Sequence, residues 1–139
     1  MCDLILKSPD SSIGGCLKYE YEIRFGPSYY SLHVQNLGHL KSRIFGKTFL
    51  WSPNSRYLVV QEWMTTSESD YPWTRLLLID FQTGLGKWLA GVKGGWIRPV
   101  KFEDGKIIYE KDLSTTMSTI TEYELEIKSL DHWENLEWV

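Results

Sequence analysis

The chain alternates with a period of two. In "CLKYEYEIRF", Leu17, Tyr19, Tyr21, Ile23 and Phe25 fall on one side, and Lys18, Glu20, Glu22 and Arg24 on the other. That spacing predicts a half-buried antiparallel strand. "GPSY" (Gly26 to Tyr29) reads as a turn, and "YSLHVQNL" as the return strand with Leu32 and Val34 inward. After Gly38, "LKSRIFGKTFLW" predicts two short strands broken near Gly46. "SPNS" then supplies Pro53 and Asn54 for a tight turn. In "RYLVVQEWM" the run Leu58-Val59-Val60 predicts burial on both faces, and "TRLLLIDF" reads as the most apolar, central strand. "TTSESDYP" (Thr65 to Pro72) is polar and predicts an exposed loop.

The last third keeps the same period. "WIRPVKF" and "KIIYEK" flank "EDG", and Asp-Gly supplies the positive φ that a tight hairpin needs. The Ser/Thr-rich "LSTTMST" reads as a loop or an exposed strand edge. In "TITEYELEI", Thr121, Tyr123, Leu125 and Ile127 share one face, and Glu122, Glu124 and Glu126 the other. "DHWENLEWV" predicts a short strand or a helical turn. No segment has the 3.6-residue period of an amphipathic helix. The prediction is an all-β fold of roughly ten to twelve strands, in antiparallel meander sheets.

At 139 residues the chain is most simply one domain, 1–139, able to bury one core. Aromatic residues are 14%, which suits pleated surfaces and interfaces alike. No run approaches the ~18 apolar residues of a membrane span, and the first residues lack a signal-peptide pattern. Cys2 and Cys16 are too few for a disulfide framework and read as free thiols in a reducing cytoplasm. With His33, His39 and His132 they show no metal-ligand spacing.

Charge is distributed unevenly. Residues 1–101 hold 12 Lys/Arg against 8 Asp/Glu, a balance of +4. Residues 102–139 hold 3 against 10, a balance of −7, and the whole chain carries −3. Catalytic chemistry finds little support. No G-x-S-x-G elbow is present, and Ser114, Thr115, Thr116 and Ser118 lie in low-complexity sequence. "DHWE" (Asp131 to Glu134) reads as a polar strand or turn before an acid–base pair. "KGGW" (Lys93 to Trp96) lacks phosphate-loop spacing. Scattered Lys and Arg do not make a nucleic-acid patch. The prediction is therefore no catalytic residue, no cofactor, no metal, no nucleic acid and no membrane.

What remains is an acidic, aromatic face. Glu122, Glu124 and Glu126 form a stripe of like charge, which costs stability unless something cationic answers it. Asp112 lies close in sequence, as do Asp131, Glu134 and Glu137. The loop "SESDYPW" adds Glu68, Asp70, Tyr71 and Trp73. Acids beside aromatics suit a hot-spot surface for a basic protein partner.

Two resemblances extend this reading. "FLWSPNSRYLVV" resembles the apolar-x-x-Ser-Pro-Asp-x-x-x-Leu opening of blades in WD-repeat and TolB-like β-propellers, and "RLLLIDFQTG" is similar to their third strand and Asp-x-x-Thr-Gly turn. A weak internal repeat has a blade-like offset: Trp51 to Phe102 is 51 residues, and Ile79 to Leu125 is 46. The resemblance covers about residues 45–130 and implies blade-like units at about 45–95 and 96–139. No Trp-Asp dipeptide and no Gly-His opening is present. A closed propeller takes about four blades or more, so the chain is too short for one, and bare sheet edges would need covering. By type, a small, acidic, aromatic-rich chain without catalytic motifs resembles the immunity proteins of bacterial polymorphic-toxin and contact-dependent inhibition systems. That resemblance implies a cytoplasmic protein that blocks a basic, nuclease-type toxin domain with acidic side chains. A self-associating propeller fragment or scaffold subunit, and an enzyme of unrecognised type, are the other readings.

Overall fold

A computed structural model describes residues 2–24, 26–113 and 119–139. Phe25 and the stretch 114–118, with Ser114, Thr115, Thr116 and Ser118, lie outside the described residues. Twelve strands and one 3-10 turn (Ile127–Ser129) make up the described fold. All strand pairing is antiparallel, in two sheets that form neither a closed barrel nor a closed propeller. The larger sheet runs β1 (Leu4–Lys7), β2 (Gly14–Glu22), β3 (Ser28–Val34), β5 (Ile44–Trp51), β6 (Tyr57–Trp63), β7 (Trp73–Asp80), β8 (Leu85–Lys93) and β12 (Glu134–Asn135). The short β4 (Gly38–His39) pairs with β3. The smaller sheet is β9 (Trp96–Glu103), β10 (Lys106–Asp112) and β11 (Ile120–Glu126), with β10 in the middle.

The two sheets make two cores. Leu58, Val60, Leu77 and Ile79 join Leu17, Leu32 and Phe45 in the first. Val59, Leu76 and Leu78 point the other way, against Ile97, Ile107 and Tyr109 of the smaller sheet. Strands β6 and β7 are thus buried on both faces, which is why they read as continuous apolar runs. Polar side chains pin the smaller sheet in place. The Gln61 amide donates to the Ile97 carbonyl at 2.9 Å, and Thr74 Oγ1 bonds both the Gly95 carbonyl and the Ile97 N–H.

Local signals match the turns. Asp104 (φ 49°) and Gly105 (φ 75°) close the β9–β10 hairpin in the left-handed region. In "WSPNSRYLVV", Ser52 Oγ accepts from the Tyr57 N–H at 2.9 Å, and Asn54 Oδ1 accepts from the Arg56 N–H at 3.1 Å. Arg56 then grips Asp80 with two bonds of 2.9 Å. Burial raises the Asp80 pKa. Hydrogen bonds from Arg56, the Gln82 N–H and Thr83, with the Arg56 charge, outweigh it and hold the carboxyl below its usual range. A depressed carboxylate contributes stability that is fully present above the unfolded value of about 4 and is lost as pH falls through the lower folded value. Urea unfolding across that acid window should therefore be less pH-dependent for Asp80→Asn than for the parent. Equal acid slopes would reject this role for Asp80.

The structure differs from the sequence reading at four places. Tyr19 (46% exposed) and Tyr21 (65%) do not join Leu17 in the core. Tyr19 keeps the register of Leu17 but rests edge-on against Tyr30 outside the core, and Tyr21 lies beyond a register shift in β2. Residues Ile44–Trp51 form one strand rather than two, with an irregularity between Phe45 and Phe49. Gly46 sits in that irregularity, and a Cβ there would collide with the Gln61 amide and the Trp63 indole nitrogen. Cys2 and Cys16 are joined as a disulfide, not free. The pairing Leu4↔Leu17 brings them together, with Cα atoms 5.6 Å apart. Finally, the C-terminal residues do more than add a strand. β12 pairs with β8, and the chain then crosses to β4, where His39 and Val139 exchange backbone bonds of 3.1 and 2.9 Å.

Candidate functional site

The period of two in β10 and β11 builds the site. On β11, Leu125 packs into the second core and Tyr123 stacks on Tyr109 at 5.5 Å. That commits Glu122, Glu124 and Glu126 to the opposite, outer face. Across the ladder they stand opposite Glu110, Ile108 and Lys106. β9 adds Arg98, Lys101 and Glu103 beside Glu110, Ile108 and Lys106. With Asp112, the face carries six carboxylates against three cations, a balance of −3.

Part of this charge is answered within the chain. Lys106 Nζ is 3.4 Å from Glu124, Lys128 Nζ 3.7 Å from Glu126 and Lys101 Nζ 3.2 Å from Glu103. These pairs are solvated, and such pairs contribute about 0–1 kcal/mol each. Glu122 faces Glu110 and has no cation within ion-pair distance among the described residues.

The structure sorts the predicted residues into three groups. Glu122, Glu124 and Glu126 are brought together and exposed. Asp112 shares their face but is only 7% exposed, held by Arg98 at 2.9 Å, so it acts as a counter-ion rather than an open acid. In the loop, Glu68 and Asp70 are exposed, on a turn where the Asp70 and Tyr71 N–H groups both donate to the Ser67 carbonyl. Tyr71 is not a free surface ring. It packs against Trp63 at 5.8 Å and Trp96 at 5.5 Å, and burial raises its phenol pKa. Trp73 is 36% exposed, with Lys93 Nζ 4.9 Å from its ring centre.

Trp96 pairs with Asp112. The loop therefore lies at the Asp112 end of the smaller sheet, and Glu126 at the other, about 20 Å along the strands. Asp131, Glu134 and Glu137 do not join this face. Glu134 pairs with Arg43 at 3.2 Å, Glu137 with Lys41 at 3.3 Å, and Asp131 lies 3.6 Å from His132. Sequence reading missed Glu110, Glu103, Lys106 and Arg98. The alternation of "KIIYEKD" carries the signal, since it puts Lys106, Ile108, Glu110 and Asp112 on one side.

Catalytic arrangements are weak elsewhere. Ser31 Oγ and His33 Nε2 lie 2.8 Å apart, and the His33 ring lies tilted against His39 with centroids 5.2 Å apart. Burial, then Lys18 and His39, lower the His33 pKa. Ser31 is itself buried, and no carboxylate lies within ion-pair distance of His33 among the described residues. A nucleophile needs both access and an oriented base. No group of three or more His, Cys, Asp or Glu could hold a metal among the described residues. No described helix is long and apolar enough to cross a membrane. Comparisons with family models, with curated proteins and with solved structures gave no match.

Proposed function

We propose that this chain is a non-enzymatic protein-binding module that takes a basic protein partner on the outer face of β9–β11. One observation carries the reading: Glu122, Glu124 and Glu126 stand exposed on one face of an edge strand, in surroundings that hold more acid than base. Carboxylates at this spacing offer a cationic cleft a row of anions, and the Glu68–Asp70 turn adds two more at the far end. The role that fits best is that of an immunity protein, which blocks a nuclease-type toxin domain by occupying its phosphate-binding cleft. Association should then be fast and salt-sensitive, because exposed charges steer encounter.

The test pairs the purified chain with a toxin-like basic domain encoded beside it. Replacing Glu122, Glu124 and Glu126 together with Lys should weaken binding at least about a hundredfold at low salt, with most of the early loss in the association rate. An affinity unchanged by the triple substitution removes this face from the interaction. Cytoplasmic action belongs to the same reading. The Cys2–Cys16 bond argues the other way, since bridges persist in oxidising compartments. Alkylation of the two thiols in protein taken directly from cells decides between them: labelled thiols support the cytoplasm, and an unlabelled bridge rejects it.

A further inference from the structure

The main chain of β11 carries information that its side chains do not. The Leu113 N–H donates to the Thr119 carbonyl at 2.8 Å, and the Ile127 N–H to the Gly105 carbonyl at 3.0 Å. These two bonds bracket a regular register from Lys106↔Glu126 to Asp112↔Ile120. In an antiparallel ladder the bonded pairs recur at every second residue. Thr121, Tyr123 and Leu125 therefore turn their N–H and C=O groups toward β10. Ile120, Glu122, Glu124 and Glu126 turn theirs outward, to an edge that no other strand pairs among the described residues. Ser129 Oγ donates to the Glu126 carbonyl at 2.7 Å, which closes that end. The open main-chain groups are then those of Ile120, Glu122 and Glu124, together with the Glu126 N–H.

The other sheet edges are short or obstructed. β1 has four residues and β12 two; β8 is covered by β12 only at Leu85 and Gly86, and the rest of its edge is broken by a bulge opposite Leu76. The Ile97 N–H and C=O of β9 are taken by Thr74 and Gln61, and Pro99 has no N–H to offer. β11 runs for seven residues without proline or bulge. Such an edge is a template for an added strand.

We propose that β11 receives its partner by strand addition, and that the incoming strand carries Lys or Arg at alternate positions. The inference rests on the protein-binding reading above and specifies how the partner is held. A residue facing Glu122 or Glu124 across a new ladder would exchange both backbone bonds with it, and its side chain would lie on the same outer face. Cations at every second position thus meet the glutamates while their own N–H groups donate to the edge. A second copy of the chain is a poor occupant. Pairing two β11 strands through their outward residues sets glutamate opposite glutamate or Ile120, and like charges directly opposite are destabilising. The charges that bar a second copy select a cationic strand.

The test uses a capped, dye-labelled peptide, Thr-Lys-Val-Lys-Val-Lys-Thr, measured by fluorescence anisotropy at low salt. Methylating the lysine backbone nitrogens should weaken binding at least about tenfold, the loss of one or two net hydrogen bonds. Methylating the valine nitrogens, which face away from the edge, should change it by less than about twofold at the same charge. Amide exchange of Ile120, Glu122 and Glu124 should slow in the complex, and that of Tyr123 and Leu125 should not change. Equal effects of the two methylations, or no binding of the parent peptide, overturn strand addition. Equal methylation effects with binding still abolished by the triple Glu→Lys substitution reject strand addition alone. Peptide binding that survives the triple substitution rejects the acidic face as well.

Discussion

Deleting residues 134–139 is expected to cost about 5 kcal/mol, a large part of the stability of a domain this size, and to lower the melting temperature by about 10–20 °C. Leu136 and Trp138 pack against the first core, and each large apolar side chain withdrawn from such a site costs about 2–3 kcal/mol. Leu136 lies directly over Gly86, where a Cβ would approach its Cδ2 to 2.6 Å, and Gly86 has no side chain of its own to fill the space it leaves. The deletion also strips the backbone bonds at His39 and Lys41 and removes Glu134 from Arg43. Trp138→Ala alone should lose about half as much. Thermal and urea unfolding of the two variants measure this, and a tail-deleted chain that melts with the parent would show that the segment is not part of the core.

The second large effect is expected at Glu62→Ala, at about 3–5 kcal/mol. Glu62 is 3% exposed and accepts from Arg75 Nε at 2.8 Å, with Arg43 Nη1 at 3.7 Å. Arg75 is 7% exposed and lies against the Trp88 ring. Burial lowers the Arg75 pKa, the Glu62 hydrogen bond and charge raise it, and the nearby Arg43 charge lowers it again. Without Glu62, the Arg75 and Arg43 guanidinium groups are left, among the described residues, with Glu134 to answer them. The double variant Glu62→Ala/Arg75→Met removes one charge of each sign and should recover much of the loss, because an apolar replacement of a buried pair is often near neutral. Chemical denaturation of the single and double variants reads the coupling. Additive losses would mean that the two residues do not interact.

The sequence was most legible where burial is determined by neighbours along the chain. Leu58–Val60 and Leu76–Ile79 have no polar position to turn outward, so burial on both faces follows directly. Asp104-Gly105 specifies its hairpin through backbone sterics alone. The stripe of glutamates followed from period two, because the strand is regular. Legibility failed where distant segments decide. Tyr19 and Tyr21 keep perfect alternation yet stand exposed, since Tyr19 meets only the side of Tyr30 and Tyr21 lies past the register shift in β2. Tyr71 reads as a surface ring, but Trp63 from the end of β6 and Trp96 from the start of β9 close around it. Asp112 looked open until Arg98 was placed beside it by the β9–β10 pairing. Glu62 reads as an ordinary polar strand position, and only the facing Arg75 and the nearby Arg43 make its burial tolerable. The cysteine bridge depends on a four-residue strand too short to be read with any periodicity.

The crossing of the C-terminal residues to β4 also sets an order of events. His39 and Val139, which exchange backbone bonds, are separated by 100 positions. Closing so long a loop is slow, and its entropic cost falls before the contacts repay it. As the chain leaves the ribosome, β2, β3, β5, β6 and β7 can pair as a meander well before residue 134 has been made. Until then the site awaiting Leu136 and Trp138 stays open to water, to chaperones or to a neighbouring nascent chain. Completion of the first core therefore follows the pairing of its strands, and the growing chain passes through a stage in which the meander is assembled but this core is not yet closed.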